Sequence, residues 1–299
     1  MGSFFQLGPA SAPYEAVRDS GHLANVKTFI EHLWAEYRPS SDPHFLEDAK
    51  KHFHHRTWEL YLWHVLKRHG FDPQKSGSVG PDFYFMSDEE RTWVEAVAPG
   101  RGIGPDAVPK LRTVNEMIEA GEEPIAQEVP EEAIILRFTQ AMRDKLMKYA
   151  EYRSKGIVRS NDRFIIAING CEATDYRGEP HVPYVIKGTL ALGNLQISFD
   201  PNGLEPSDSS YQRRELIRKK NQESVSTDLF LKDEYCPVSD VLYSPKDILK
   251  VPERIGSEMY YFHNPLAANP IPRGVFRFCR EYWADHERGR LDHRDWHLG

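Results

Sequence analysis

An α/β fold is predicted by three features of the 299-residue chain. Two short runs of aromatic and β-branched residues, 80–85 and 92–99, are separated by Ser87-Asp88-Glu89-Glu90 and predict adjacent strands of a hairpin. A long helical pattern over residues 45–69 precedes them, and a second over residues 131–155 follows. Phe164-Ile165-Ile166-Ala167-Ile168 is then a continuous apolar run, as expected of a strand covered on both faces. The expected order is α-β-β-β-α-β, with a helical flank before it and an extension of the sheet after it.

In chain order, residues 1–13 are small, polar and interrupted by proline, which predicts a loose arm. Leu23, Val26, Ile30, Leu33 and Trp34 recur at helical spacing, and Arg38-Pro39-Ser40-Ser41-Asp42-Pro43 ends that helix. Beyond the hairpin, the glycine-rich segment Pro99-Gly100-Arg101-Gly102-Ile103-Gly104-Pro105 lacks the Lys-Ser/Thr ending of a phosphate-binding loop and reads as a flexible exit. Residues 106–120 predict a helix interrupted near Pro109, and 121–130 an acidic surface linker. After Gly170 the expected strands are 184–192 and 195–199, joined near Gly193-Asn194, then 259–262 and 275–278. The basic stretch 211–223 reads as a helix or a loop. Residues 1–42 are thus an arm and helical flank, 43–170 the core, and 171–299 an extension packed on it.

The formal charge of −7 argues against a protein that binds polyanions over its whole surface, but it leaves room for a local basic groove. Three widely spaced cysteines, Cys171, Cys236 and Cys279, do not make a disulfide framework and favour a reducing, cytoplasmic setting. The start of the chain lacks a signal-peptide pattern, and no run is long enough to span a bilayer, so no membrane partner is expected.

Each predicted hairpin strand holds one acid. Asp82 opens the first, and Glu95 lies between Val94 and Ala96 in the second, where a charge is costly unless paired or neutralised. Glu59 lies near the apolar stripe of Leu62, Val65 and Leu66, and a helix laid on the hairpin brings it alongside. Three hard oxygen donors suit Mg²⁺ or Mn²⁺ together with substrate phosphate. His55 shares a helical face with Glu59, but the histidines make no His-Glu-x-x-His pattern. The C-terminal His286, His293 and His297 lack partners at zinc spacing.

These pieces, a helix glutamate followed by Pro81-Asp82 and Glu95-Ala96-Val97, resemble the PD-(D/E)xK nuclease superfamily over residues 45–170. The resemblance implies a restriction-endonuclease-like core and a metal-dependent nuclease acting on DNA or RNA. Glu59, Asp82, Glu95 and the Ala96 carbonyl would hold the metal. Val97 stands where the superfamily has lysine. Lys145 is the favoured substitute, with Gln140 and Lys75 as weaker candidates. Some branches carry Gln-x-x-x-Tyr on the later helix, which here would read Lys145 with Tyr149. Arg137, Arg143, Lys148 and Arg153 on that helix are expected to hold nucleic-acid phosphates. The alternative is a degenerate nuclease fold that binds nucleic acid or a protein.

Overall fold

The computed structural model describes residues 2–75, 77, 79–174, 182–199, 206–250, 254–285 and 290–296. Four helices come first: α1 (Ala12–Asp19), α2 (Ala24–Tyr37), α3 (Phe45–Lys51) and α4 (Phe53–Arg68). The single long helix expected over 45–69 is broken at His52, whose backbone (φ −120°, ψ 54°) leaves the helical region. The expected hairpin forms as β1 (Phe83–Ser87) and β2 (Glu90–Val97), and the later helix and strand as α6 (Glu131–Ser154) and β3 (Arg163–Asn169).

No third strand separates the hairpin from α6. Residues 98–130 hold only α5 (Val114–Glu119), started by a capping box between Thr113 and Glu116. Glycines and prolines crowd residues 99–109, and they weaken or interrupt a strand ladder. The local order is therefore α-β-β-α-β.

The sheet is completed from beyond residue 170. It has seven strands in the order β1-β2-β3-β8-β9-β10-β11, the last four being Asp240–Ser244, Tyr260–His263, Arg280–Asp285 and Arg290–Asp295. β2, β3 and β8 run parallel to one another, while β1 and β9 are antiparallel to their neighbours β2 and β8. Strand alternation divides the core. Ile165 and Ala167 face α1 to α4, while Phe164, Ile166 and Ile168 join Ile134, Phe138 and Met142 of α6 on the other face. The Trp58 indole N–H donates to the Ala167 carbonyl at 3.0 Å, locking α4 against β3.

Four later expectations change. The apolar run after Pro183 is a short helix (Tyr184–Lys187), buried beside α6, because such a run has no period that separates strand from helix and proline favours a helix start. Gly193 lies within β4 (Leu192–Phe199), which pairs with β5 (Pro206–Arg213) rather than with the preceding run. The 211–223 stretch is neither helix nor simple loop: it ends β5 and supplies β6 (Leu216–Arg218), paired with β7 (Ser224–Ser226). Residues 275–278 form turns that bury Phe276 and Phe278, with the strand β10 starting just after them.

Candidate functional site

Asp82 stands directly before β1, and its Oδ2 accepts the backbone N–H of Ala96 at 2.7 Å, extending the β1–β2 pairing through a side chain. An extended residue directs its N–H and C=O toward the same neighbour, so the Ala96 carbonyl also faces Asp82. Burial pushes the Asp82 carboxyl up to about 8, with repulsion from Glu59 and Glu95 adding to it and Lys145 and Lys75 opposing. The proton affinity of Asp82 therefore registers all three predicted acids at once.

Glu59 comes from α4 and is fully buried. Its Oε1 accepts from Lys75 Nζ at 2.8 Å and from the Tyr37 hydroxyl, and its Oε2 from Arg56 Nη1 at 2.8 Å. Burial raises its proton affinity, but the charges of Lys75 and Arg56 outweigh burial and hold the carboxyl below its usual range. Tyr37 is driven strongly upward by burial and by Glu59, so it remains a neutral donor.

Glu95 shares its strand face with Trp93 and Val97 and points toward α6. Its Oε1 accepts from Lys145 Nζ at 2.7 Å and Lys148 Nζ at 3.2 Å, and its Oε2 accepts from the Tyr152 hydroxyl at 3.2 Å. Lys145 is only 5% exposed, and its ammonium reaches Glu95 from the neighbouring helix. The expected Lys145–Tyr149 pair is not the one formed. Tyr149 packs edge-on against Phe164 at 5.0 Å, and the pair meeting Glu95 at i, i+4 is Lys148 and Tyr152.

His55 lies at the junction. Burial and then the Lys145 charge lower its imidazole to about 4, so it is neutral near pH 7, while Glu59 and Glu95 pull the other way. Among the described residues, two trios have potential ligand atoms all within 4.8 Å of one another: His32, Glu36 and His64, and His54, Cys171 and Asp247. Glu59, Asp82 and Glu95 are not such a trio. Glu59 and Glu95 are each drawn to their own cations, with Asp82 between.

A cleft of about 280 Å³ opens beside Lys145, lined by Val97, Pro99, Arg137, Gln140, Asp144 and Lys148. Arg137 Nε donates to the Gly100 carbonyl at 2.8 Å, and a Cβ on Gly102 (φ +82°) would meet Arg137 Nη1 at 3.1 Å, so glycine there lets the loop lie on the guanidinium. The predicted basic surface is split by helical geometry. Arg137 and Lys148 face the cleft, whereas Arg143 turns to Tyr235 and Arg153 Nη1 donates to the Val158 carbonyl at 2.8 Å.

Several residues of this network escape a reading of the sequence. Arg56 has a legible i, i+3 relation to Glu59, and Lys148-x-x-x-Tyr152 carries the same spacing signal as Lys145 and Tyr149. Tyr37 has no local signal, because it ends a different helix. His286 and His297 lie outside the described residues, and His293 stacks on Tyr282 at 5.4 Å. In comparisons with known proteins, no family model matches the chain, and no curated protein or solved structure matches it.

Proposed function

We propose that the chain is a divalent-metal-dependent nuclease with a restriction-endonuclease-like core, hydrolysing phosphodiester bonds of DNA or RNA with Mg²⁺ or Mn²⁺. The observation that carries this reading is the Lys145 ammonium 2.7 Å from Glu95, beside Asp82 and at the mouth of a basic cleft. The donors fit a hard cation. Asp82, Glu95 and the Ala96 carbonyl are all oxygen ligands, and Asp82, raised first by burial and then by Glu59 and Glu95, is a carboxyl whose ionised form a bound cation would favour.

When bound, a divalent cation would supply an activated water and neutralise charge at the phosphate. The chain's own groups do the rest. Lys145 orients Glu95 and presents a fixed positive charge toward the cleft, where it stabilises charge developing on the phosphate. Arg137 and Lys148 hold flanking phosphates. Glu59, neutralised by Arg56 and Lys75, buttresses the segment before Asp82.

The test is incubation with duplex DNA, single-stranded DNA and RNA in Mn²⁺ and Mg²⁺. Cleavage of at least one substrate, abolished by chelator and by Asp82→Asn, is expected. A second reading, a nuclease fold that only binds nucleic acid, is favoured by the full pairing of Glu59 and Glu95 with cations. Salt-sensitive binding without cleavage of any substrate would select it. Neither binding nor cleavage would reject both.

A further inference from the structure

A second cluster lies off the carboxyl ends of β3 and β8. His54, at the start of α4, meets Cys171, which follows Gly170 after β3, and Asp247, in the loop after β8. His54 Nδ1 lies 3.5 Å from Cys171 Sγ and 3.7 Å from Asp247 Oδ2, and all three ligand atoms fall within 4.8 Å of one another. With Zn–S about 2.3 Å and Zn–N about 2.0–2.1 Å, a tetrahedral N···S edge is about 3.5–3.6 Å. The observed separation matches that edge, and in the metal-free chain it is bridged by a thiol–imidazole hydrogen bond.

The surroundings have the form of a metal site. Asp247 Oδ1 accepts the Leu249 N–H at 3.0 Å, so the other oxygen is left to face His54. The second imidazole nitrogen, Nε2, lies 3.6 Å from Glu172 Oε1. A carboxylate that closes to hydrogen-bond distance behind a ligating histidine fixes its tautomer and raises its basicity. Three segments distant in sequence supply the donors, so no motif spacing announces them.

We propose that His54, Cys171 and Asp247 form a mononuclear site for a zinc-class transition ion, with its fourth coordination position open to solvent. The site is separate from the Asp82 cluster, and the proposal does not rest on nuclease activity. One thiolate, one imidazole and one carboxylate select a borderline-soft ion such as Zn²⁺ over Mg²⁺. A cavity of about 300 Å³, lined by His54, Arg101, Cys171, Glu172 and Asp247, adjoins the trio. Three protein ligands beside a cavity are the arrangement of an ion that keeps a water or an exogenous anion. Binding replaces the Cys171 thiol proton, which leaves to solvent.

The experiment uses the full chain freed of metal by chelation and titrated with Co²⁺ and Zn²⁺. One equivalent of Co²⁺ should produce a thiolate-to-cobalt charge-transfer band, displaced by Zn²⁺. Cys171→Ser should abolish the band, and Glu172→Gln should weaken Zn²⁺ binding about 10–100-fold. Asp82→Asn and the pair His32→Ala with His64→Ala should change neither. Wild type gives an answer even if the Cys171 variant does not fold: Zn²⁺ should slow alkylation of Cys171 by iodoacetamide and leave that of Cys236 unchanged. Alkylation of Cys171 at an unchanged rate in saturating Zn²⁺ would overturn the proposal. So would a missing cobalt band, or metal binding lost with the His32 and His64 pair instead.

Discussion

Lys145 Nζ donates to Glu95 Oε1 at 2.7 Å, joining α6 to β2 across a sequence separation of 50 residues, with both side chains almost wholly buried. A buried pair of this kind leaves an uncompensated charge when one member is removed. Here Lys148 and Tyr152 remain on Glu95, which makes Lys145 separable from the fold.

Lys145→Ala is therefore expected to stay folded and to lose cleavage about a hundredfold or more, the scale of removing one transition-state stabiliser. Metal-induced thermal stabilisation should persist, since Asp82, Glu95 and Ala96 are untouched. Val97→Lys should restore part of the loss by placing an ammonium beside Glu95. Single-turnover cleavage measured with and without Val97→Lys checks both, and cleavage unaffected by Lys145→Ala would reject the role.

Asp82 makes stability fall with rising pH. Its carboxyl is held up at about 8 by burial and by Glu59 and Glu95, against an ordinary 3.8, so the fold favours the protonated form. The unfolded chain loses that proton near pH 4 and the folded chain keeps it to about pH 8, so stability declines across this window. Asp82→Asn should melt several degrees above wild type at pH 9, with the difference shrinking toward pH 5. A divalent cation should close the gap in wild type only. Melting curves at the two pH values, with and without Mn²⁺, decide it.

Tyr152→Phe should destabilise by about 1.5–3 kcal/mol, the range for a hydrogen bond to a charged group. Tyr149→Phe should leave Glu95 unaffected, because that ring packs on Phe164. Chemical denaturation of the two variants compares the faces of α6 directly. Equal losses would argue against the observed orientation.

Charge reversal separates the two halves of the basic helix. Arg137→Glu and Lys148→Glu should weaken nucleic-acid binding and reduce its salt slope by about 1 each. Arg143→Glu and Arg153→Glu should leave the slope alone, since those groups turn toward Tyr235 and Val158. Binding isotherms across a salt series provide the measurement.

His263 lies between two buried acids, 2.8 Å from both Asp240 Oδ1 and Glu281 Oε1. Burial lowers its proton affinity, but hydrogen bonds to Asp240 and Glu281 outweigh burial and raise it to about 9. A raised histidine contributes stability that is fully present below its unfolded value of 6.5 and is lost as pH passes about 9. Imidazole resonances should show His263 doubly protonated at pH 8, and titration near 6.5 would contradict this. His263→Ala should cost about 3–5 kcal/mol by leaving the two acids without their cation.

What could be read from the chain alone follows from local physics. Two short aromatic and β-branched runs around a polar turn determined the hairpin, helical patterning determined α2, α4 and α6, and an uninterrupted apolar run determined β3. The costly acids Asp82, at the entry to an apolar strand, and Glu95, within one, with Glu59 beside a helix stripe, were legible because each is unusual among its own neighbours. The strand β8 was not, since it is five residues long, bounded by polar residues, and becomes a central strand only by pairing with β3.

Tertiary structure alone decided which groups meet. Lys145 and Tyr149 share a spacing with Lys148 and Tyr152, and only the direction in which Glu95 leaves β2 selects Tyr152 over Tyr149. The neighbours His54 and His55 leave one helix toward different clusters, His54 to Cys171 and Asp247 and His55 to the charges of Lys145 and Glu59. A sequence specifies periodicity over a few residues. Charges separated by 50 positions or more are brought together by how helices pack on a sheet, which is where burial turns a carboxylate into a paired, protonated or metal-binding group.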